Sequence, residues 1–209
     1  MEQYLKNIQW LGHASFKIIA DAKTILIDPF KLKKDEPCDI VCSTHDHFDH
    51  CSPEDIQRCC NEETLLVGPD ACMEKLKGNK KSLNVGEKIN VKGIEIEAVP
   101  AYNTNKSFHP QQAKGVGFIF RFKNYSLYHA GDTDHIEEMK DITADIALLP
   151  VSGTYVMTAD EAAQAALDIR PKVAIPMHFG DIVGDLNDAN RFKELLAGKI
   201  KVVIPKLEE

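Results

Sequence analysis

The feature that most constrains this chain is a hexapeptide at positions 45–50 that reads His-Asp-His-Phe-Asp-His. It follows an apolar segment, residues 39–43, with the composition of a β-strand. One residue after it comes Ser52-Pro53, a pair typical of a helix N-terminus. Imidazole and carboxylate groups gathered at a strand end are typical of metal sites. The sequence therefore predicts a metal-binding loop between a strand and a helix, in preference to a merely polar surface loop.

Two metal ions account for this hexapeptide better than one. In an extended segment, His45 and His47 point to the same side and can reach a single ion. The chain then turns, so Asp49 and His50 can bind a second ion, whereas a single ion would leave them without a role. Imidazole and carboxylate ligands suit Zn²⁺ first, and Mn²⁺, Fe²⁺ or Ni²⁺ as alternatives. We therefore expect two divalent ions, with zinc as the leading candidate.

The apolar pattern predicts mixed β-sheets with helices packed outside them, an α/β (α+β) class. Strands are predicted at residues 8–11, 16–19, 24–27, 39–43, 64–67, 87–91, 94–99, 116–122, 126–129, 144–149, 173–176 and 201–204. Helices are predicted from residue 53 and at 70–77, 158–169 and 187–196. A doubly wound nucleotide-binding fold fits poorly, because neither GxGxxG after the first strand nor GxxxxGK[ST] occurs.

Size and charge narrow the class of protein further. The 209 residues suffice for one large domain, and we predict a single domain over residues 1–209. A net charge of −7 opposes nonspecific binding to duplex nucleic acid. We expect no signal peptide and no membrane span, since no stretch approaches the roughly 18 apolar residues required. The six cysteines contain no CxxC pair and are expected to be reduced thiols of a cytoplasmic protein. The sequence contains no feature that indicates an oligomeric state.

The hexapeptide matches HxHxDH, the signature of the metallo-β-lactamase superfamily, and four other segments resemble that superfamily in the expected order. They are Gly12-His13-Ala14-Ser15-Phe16, Ile27-Asp28-Pro29, His129-Ala130-Gly131-Asp132-Thr133 and Pro176-Met177-His178-Phe179-Gly180. Together they are most similar to the small, stand-alone metal-dependent hydrolases called UlaG-like. The resemblance implies a four-layer αβ/βα sandwich, the metallo-β-lactamase fold, with the metals at the edge between its two halves.

The resemblance also implies a role for each metal ligand. The ligands would be His45 and His47 at the first metal, Asp49, His50 and His178 at the second, and Asp132 as a bridge between them. The third ligand of the first metal departs from the broad pattern, since residues 99–103 lack the Gly-His-Thr/Ser turn of many members. His109 is the available donor, and the alternative is a loop histidine that contacts substrate or nothing.

Three further residues are expected near the ligands. His13 would contact substrate or a ligand carboxylate, or be a structural turn residue. Asp28, at a strand end, would accept the second ring N–H of a ligand histidine. His129 ends a buried strand and is expected to pack or to support a ligand, with metal binding as the lesser alternative.

The predicted reaction is hydrolysis by a hydroxide that bridges the two metals. Metals about 3.5–4 Å apart can share a hydroxide, and coordination lowers the pKa of water to about 7. The hydroxide would attack an ester, lactone, amide or phosphodiester centre, with the carboxylates of Asp49 and Asp132 as catalytic groups. Two divalent ions, two carboxylates and one hydroxide leave a charge of about +1, which favours a small anionic substrate. Phosphodiesters and sugar lactones lead by resemblance alone.

Two other classes remain open at the level of sequence. A non-hydrolytic metal protein, such as a redox diiron protein or a metal-sensing module, could use the same fold. Flavodiiron relatives usually carry an extra carboxylate at the first metal and a flavin domain, and neither is visible in the sequence. A metal-stabilised scaffold without catalysis would have a closed and fully coordinated site.

Overall fold

The computed structural model describes residues 1–207, and its strands form two mixed sheets of six and seven strands. The first sheet contains β1 (Ile8–Gly12), β2 (Ser15–Ala20), β3 (Lys23–Ile27), β4 (Ile40–Cys42), β5 (Leu65–Gly68) and β6 (Lys80–Ser82). The second contains β7 (Lys88–Val91), β8 (Ile94–Pro100), β9 (Val116–Arg121), β10 (Ser126–His129), β11 (Ile146–Pro150), β12 (Val173–Met177) and β13 (Lys201–Val202).

The helices of the described residues are α1 (Glu2–Leu5), α2 (Pro53–Cys59), α3 (Asp70–Lys75), α4 (Ala159–Ile169) and α5 (Leu186–Leu195), with 3₁₀ turns at Gln111–Ala113 and Glu137–Asp141. Three of these five helices, α2, α4 and α5, begin at residues whose side chains cap them. The Ser52 side chain accepts the N–H of Asp55 at the start of α2. Thr158 and Glu161 form a reciprocal capping box at α4, which satisfies backbone donors that the first turn leaves unpaired.

Strand order in both sheets follows chain order, and antiparallel pairs come before parallel ones. The strands from β1 to β3 and from β7 to β10 are antiparallel, and those from β3 to β6 and from β10 to β13 are parallel. Parallel neighbours need crossover connections, and four of these contain α2, α3, α4 and α5. The carboxyl ends of β3 and β4 therefore share one sheet edge, and those of β10, β11 and β12 share another.

Successive side chains along β3 and β4 point to opposite faces of the sheet and belong to two different apolar layers. In β3 and β4, Ile25, Ile27 and Ile40 belong to a large buried cluster that joins both sheets and includes residues of α4 and α5. The intervening Leu26 and Val41 belong to a second cluster, together with buried residues of α2 and α3. The layers are therefore helix, sheet, sheet and helix, which confirms the predicted four-layer sandwich. The single-domain organisation stays a prediction.

The short peripheral elements are the ones that the apolar pattern missed. β6 consists of Lys-Lys-Ser at the edge of its sheet, where charged side chains are common and no buried face marks the strand. The four-residue α1 contains no buried residue and so lacks a helical apolar pattern. The last strand is shorter than predicted and ends at Val202. Within residues 1–207, no helix is long and apolar enough to cross a membrane.

The packing of α5 generates a stability prediction. Phe192 is fully buried, whereas Leu186, on the same helix, is 56% exposed. Phe192→Ala should lower the free energy of unfolding by about 3–5 kcal/mol, because it removes a ring and leaves a cavity. Leu186→Ala should change it by no more than about 0.5 kcal/mol. Urea unfolding at matched metal content measures both, and equal effects would contradict the assigned packing.

Candidate metal centre

All seven predicted metal ligands meet at one edge of the sandwich. The loop after β4 brings the hexapeptide, the loop after β10 brings Asp132, and the end of β12 brings His178. The loop between β8 and β9 contributes His109, and the turn between β1 and β2 contributes His13. The donor atoms form three overlapping groups whose members lie within 4.8 Å of one another: His45, His47 and His109; His45, His50 and Asp132; and His13, Asp49, His50 and His178.

The first group contains three imidazoles and is suited to a cation. His47 Nδ1 lies 3.1 Å from His45 Nε2 and 3.2 Å from His109 Nε2. Zinc–nitrogen bonds of about 2.0–2.1 Å place neighbouring tetrahedral ligands about 3.3–3.4 Å apart, so the spacing fits. A cavity of about 20 Å³, lined in part by these three residues and Asp132, is enough for roughly one ion or one water.

Hydrogen bonds on the far sides of these rings determine where their lone pairs point. His109 Nδ1 faces two acceptors at 3.2 Å, Asn103 Oδ1 and the Tyr155 carbonyl, so it carries the proton. His45 Nδ1 lies 3.0 Å from the Thr44 hydroxyl, whose own hydrogen is donated to Asp28. Both Nε2 atoms are then unprotonated in the neutral rings and point to the same place. One proton on His47 cannot satisfy two lone pairs, whereas a metal ion can.

The ring of His50 is also oriented by a hydrogen bond at Nδ1. His50 Nδ1 donates to Asp28 Oδ2 at 2.7 Å, and Nε2 faces Asp132 Oδ1 at 3.3 Å. His50 Nε2 and Asp132 Oδ1 are both buried and lack a good hydrogen-bond partner. Burial lowers the pKa of His50, but Asp132 and Asp28 outweigh it and hold that pKa well above its usual range. In the metal-free protein a proton therefore occupies the position that a cation would take.

Asp132 lies between the donor groups. Its Oδ2 is 3.1 Å from His178 Nε2 and 3.3 Å from His109 Nε2, while Oδ1 faces His50. Burial raises the pKa of Asp132, but His178 and His50 outweigh it and keep the pKa well below its usual range. The carboxylate is therefore ionised and contacts histidines of both groups, which is the placement that a bridging ligand requires.

Asp49 and His13 complete the second group. Asp49 Oδ2 lies 3.1 Å from His13 Nε2 and 3.7 Å from His50 Nε2. Burial raises the pKa of Asp49, but the contacts with His13 and His50 lower it overall, so this carboxylate is also ionised. The sequence predicted that His13 contacts substrate or a ligand carboxylate. The structure places it on the carboxylate and among the possible metal donors, a position that the turn motif alone did not reveal.

Asp28 and His129 lie behind the donors. Asp28 accepts three hydrogen bonds, from the Thr44 N–H at 2.8 Å, the Thr44 hydroxyl at 2.7 Å and His50 Nδ1. His129 Nε2 donates to the Ala14 carbonyl at 2.9 Å, and its Nδ1 accepts the N–H of Gly131 at 3.2 Å. Both nitrogens of His129 are thus used by the backbone, as expected of a supporting residue.

The turn before Asp132 requires glycine. Gly131 has φ +65°, and a Cβ at this position would lie 2.7 Å from the Val116 carbonyl. The absence of a side chain therefore lets the loop after β10 approach β9 and directs Asp132 into the centre.

Sequence reasoning missed the group that holds His109 in place. Asn103 accepts the His109 backbone N–H at 2.9 Å and donates its own N–H to the His109 carbonyl at 2.7 Å. The buried Asp134 accepts from Asn103 Nδ2 at 3.1 Å, from Lys106 Nζ at 2.6 Å and from two backbone N–H groups between them. The only signal in the sequence is an extra aspartate after the Gly-Asp-Thr segment. Asp46, at the second position of the hexapeptide, pairs with Lys75 at 2.7 Å on the surface.

Comparison with known proteins agrees with this geometry. A family model described as a beta-lactamase superfamily domain matches residues 7–178. A UPF0173 metal-dependent hydrolase of Methanopyrus kandleri is 35% identical, over 95% of this chain and 96% of that protein. Among solved structures, a protein from Parabacteroides distasonis, described as a metal-dependent hydrolase, has a TM-score of 0.87 at 34% identity and covers 96% of this chain and 93% of its own. Igni18, a metallo hydrolase from Ignicoccus hospitalis, has a TM-score of 0.82 at 26% identity and covers 97% and 95%.

The fold is therefore that of a metallo-β-lactamase-type protein. The chain belongs to the beta-lactamase superfamily, within the UPF0173 group of metal-dependent hydrolases. The narrower resemblance to UlaG-like hydrolases stays a prediction.

The anchoring of the His109 loop generates a prediction about metal binding. In Asp134→Asn one oxygen becomes an amide nitrogen that cannot accept, and Lys106 loses its counter-ion. We expect about 10–100-fold weaker binding of the metal that His109 would hold, because residues that orient ligands typically contribute this much. Asp168→Asn is the matched control, since Asp168 pairs with His135 outside the donor groups. Titration calorimetry with Zn²⁺ measures both variants, and unchanged affinity in Asp134→Asn would refute the anchoring role.

The raised pKa of His50 generates a prediction about pH. A metal must displace the proton on His50, so binding should release about one proton near neutral pH and weaken as the pH falls. His45 and His109 add no released proton there, because burial lowers their pKa values and leaves them neutral. Calorimetry in buffers of different ionisation enthalpy counts the released protons. Proton-independent binding between pH 6.5 and 8 would contradict this arrangement.

Proposed function

We propose that this protein is a binuclear metal-dependent hydrolase that acts on an ester, lactone or phosphodiester-type bond. The observation that carries the proposal is the position of Asp132, an ionised carboxylate in contact with histidines of two adjacent donor groups. His45, His47 and His109 would hold one ion, and Asp49, His50 and His178 the other. His13 is an additional donor at the second ion, through its contact with Asp49.

Two divalent ions, with zinc as the leading candidate, would activate a water as nucleophile and polarise the scissile group of the substrate. The residues of the chain perform the remaining tasks. Asp28 holds His50 in one tautomer, and the Asn103 and Tyr155 carbonyls do so for His109. Asp49 and Asp132 supply two negative charges that offset part of the charge of the cations. Ligands fixed in this way need little rearrangement during the reaction.

The site is open on one side, as a catalytic centre must be. His47 and Phe48 are exposed, whereas His45, His50 and His109 are buried. Substrate can therefore approach along the exposed edge at His47. A metal-stabilised scaffold would enclose its ions completely, and this arrangement argues against it. We place the protein in the cytoplasm and propose a small-molecule substrate whose reacting group is anionic, on the strength of the residual positive charge of the loaded site.

Replacement of ligand residues tests the hydrolase proposal. His47→Ala and Asp132→Ala should each lower kcat/KM by 10³-fold or more, because each removes a ligand that positions an ion. The substrates are bis(4-nitrophenyl) phosphate, 4-nitrophenyl esters and a panel of lactones, with zinc- and manganese-loaded protein. His135→Ala is the matched control, because His135 pairs with Asp168 away from the centre. Circular dichroism verifies that the fold is retained, and full turnover in either ligand variant would refute the mechanism.

The same protein preparations distinguish the hydrolase from the redox alternative. The first donor group consists of three histidines and shares Asp132, with no further carboxylate in that group among the described residues. A flavodiiron-like centre would need an additional carboxylate at this metal. Colourless, redox-silent protein with about two zinc or manganese ions per chain supports the hydrolase. A reducible iron centre without turnover would favour the redox class.

A further inference from the structure

Two phenylalanines are exposed directly beside candidate metal ligands. Phe48 lies between His47 and Asp49 and is 69% exposed, and Phe108 precedes His109 and is 48% exposed. The described part of the chain has few large apolar side chains with this much exposure, and these two are its only such aromatic residues. An exposed apolar surface costs solvation free energy, and beside a pocket it indicates a binding surface.

Both rings are supported from behind. Phe48 makes an edge contact with the buried Phe30 at a centroid distance of 5.7 Å, and Phe108 makes one with Tyr155 at 4.6 Å. The Tyr155 carbonyl also accepts hydrogen bonds from Asn103, in the loop that carries His109. The orientation of Phe108 is therefore coupled to that of a ligand. Rings that are already held in place lose little conformational entropy when a ligand packs on them.

The surface between Phe108 and the donors is also apolar. The small cavity at the first donor group is lined by Phe108 and by Ala101, Pro110, Ala113 and Val116, in addition to the ligands. An apolar wall thus continues from the exposed ring to the imidazoles. Asp46 also lines this cavity, so a substrate that reaches the first donor group along the side of Phe108 passes mainly, but not only, hydrophobic side chains.

Two lysines near the loops of the candidate ligands are paired with carboxylates. Lys75 Nζ lies 2.7 Å from the Asp46 carboxylate, and Lys106 Nζ lies 2.6 Å from the Asp134 carboxylate. Neither ammonium group is left over to bind a second phosphate or carboxylate of a substrate. The two exposed rings are therefore not accompanied by a free charge from either of these lysines, and the contact that they offer to a substrate is apolar.

We infer that Phe48 and Phe108 are specificity-determining residues and that the substrate carries an aryl or alkyl group that packs on their rings. The inference rests on the proposed function, since it assumes that the scissile group of the substrate reaches the metals. It adds the substrate class: an amphipathic small molecule, polar or anionic at the bond that is cleaved and apolar beyond it. A highly polar sugar derivative does not fit this surface.

A pair of metal-chelating probes tests the inference without requiring turnover. Acetohydroxamate and benzohydroxamate bind metals through the same two oxygen atoms and differ only in a methyl or phenyl substituent. Zinc-loaded protein should bind benzohydroxamate about 10-fold or more tightly, because the phenyl group leaves water. In Phe48→Ala/Phe108→Ala the preference should fall to about threefold or less, with the acetohydroxamate Kd unchanged within about twofold. Titration calorimetry measures all four Kd values.

The controls distinguish this inference from its rivals. Leu186→Ala removes an exposed apolar side chain elsewhere and should keep the full preference for benzohydroxamate. Equal affinity of the wild type for both probes, or binding of neither to zinc-loaded protein, would overturn the inference. A shift from dimer to monomer in the double variant by sedimentation velocity would also overturn it, because the phenylalanines would then be contacts between copies. If the preference holds but none of the esters, lactones or phosphodiesters is cleaved, the apolar surface stands and the hydrolase proposal fails.

Discussion

The buried carboxylate of Asp28 is the interaction on which the centre depends. Its two oxygens accept from the Thr44 N–H, the Thr44 hydroxyl and His50 Nδ1. Because the Thr44 hydroxyl has given its hydrogen away, it must accept from His45, so one carboxylate determines the tautomers of two imidazoles. When both rings are neutral, their remaining lone pairs lie on Nε2 in the same donor group. A polar group buried without a partner costs free energy, and a cation is the partner that removes this cost.

The carboxylate of Asp134 orients a candidate ligand on the opposite side of the site. Asp134 holds the loop after β8 through Asn103 and Lys106, and Asn103 in turn holds both the backbone and the ring of His109. The two carboxylates, Asp28 and Asp134, differ in their surroundings. Asp28 follows a strand inside the sandwich, whereas Asp134 organises a long loop that has little regular structure of its own. Changes in this loop can therefore alter one side of the site while the other side stays in place.

Much of the fold and of the candidate site could be predicted from the sequence, and the reasons differ from element to element. Buried strands such as β4 and β12 are marked by apolar runs, and α2 and α4 by their capping residues, since these patterns follow from short-range physics. Six of the seven predicted ligands lie in three of the five motifs, which fix both residue type and position, whereas His109 was predicted only as the available donor. β6 has no apolar face, and the placement of His13 against Asp49 depends on how two distant loops meet. Neither leaves a local signal, and the same holds for the role of Asp134.

The order of the strands has a consequence for how the centre comes into being. The chain lays down one sheet completely before it begins the other, and each half carries an incomplete set of donors. His45 and His47 belong to the first half and His109 to the second, and Asp49 and His178 are divided in the same way. Neither half alone can offer a full coordination sphere, so tight metal capture has to wait until the two sheets have closed on each other. Metal ions bound by donors of both halves would then link the two sheets, and their retention would indicate that the whole chain has folded.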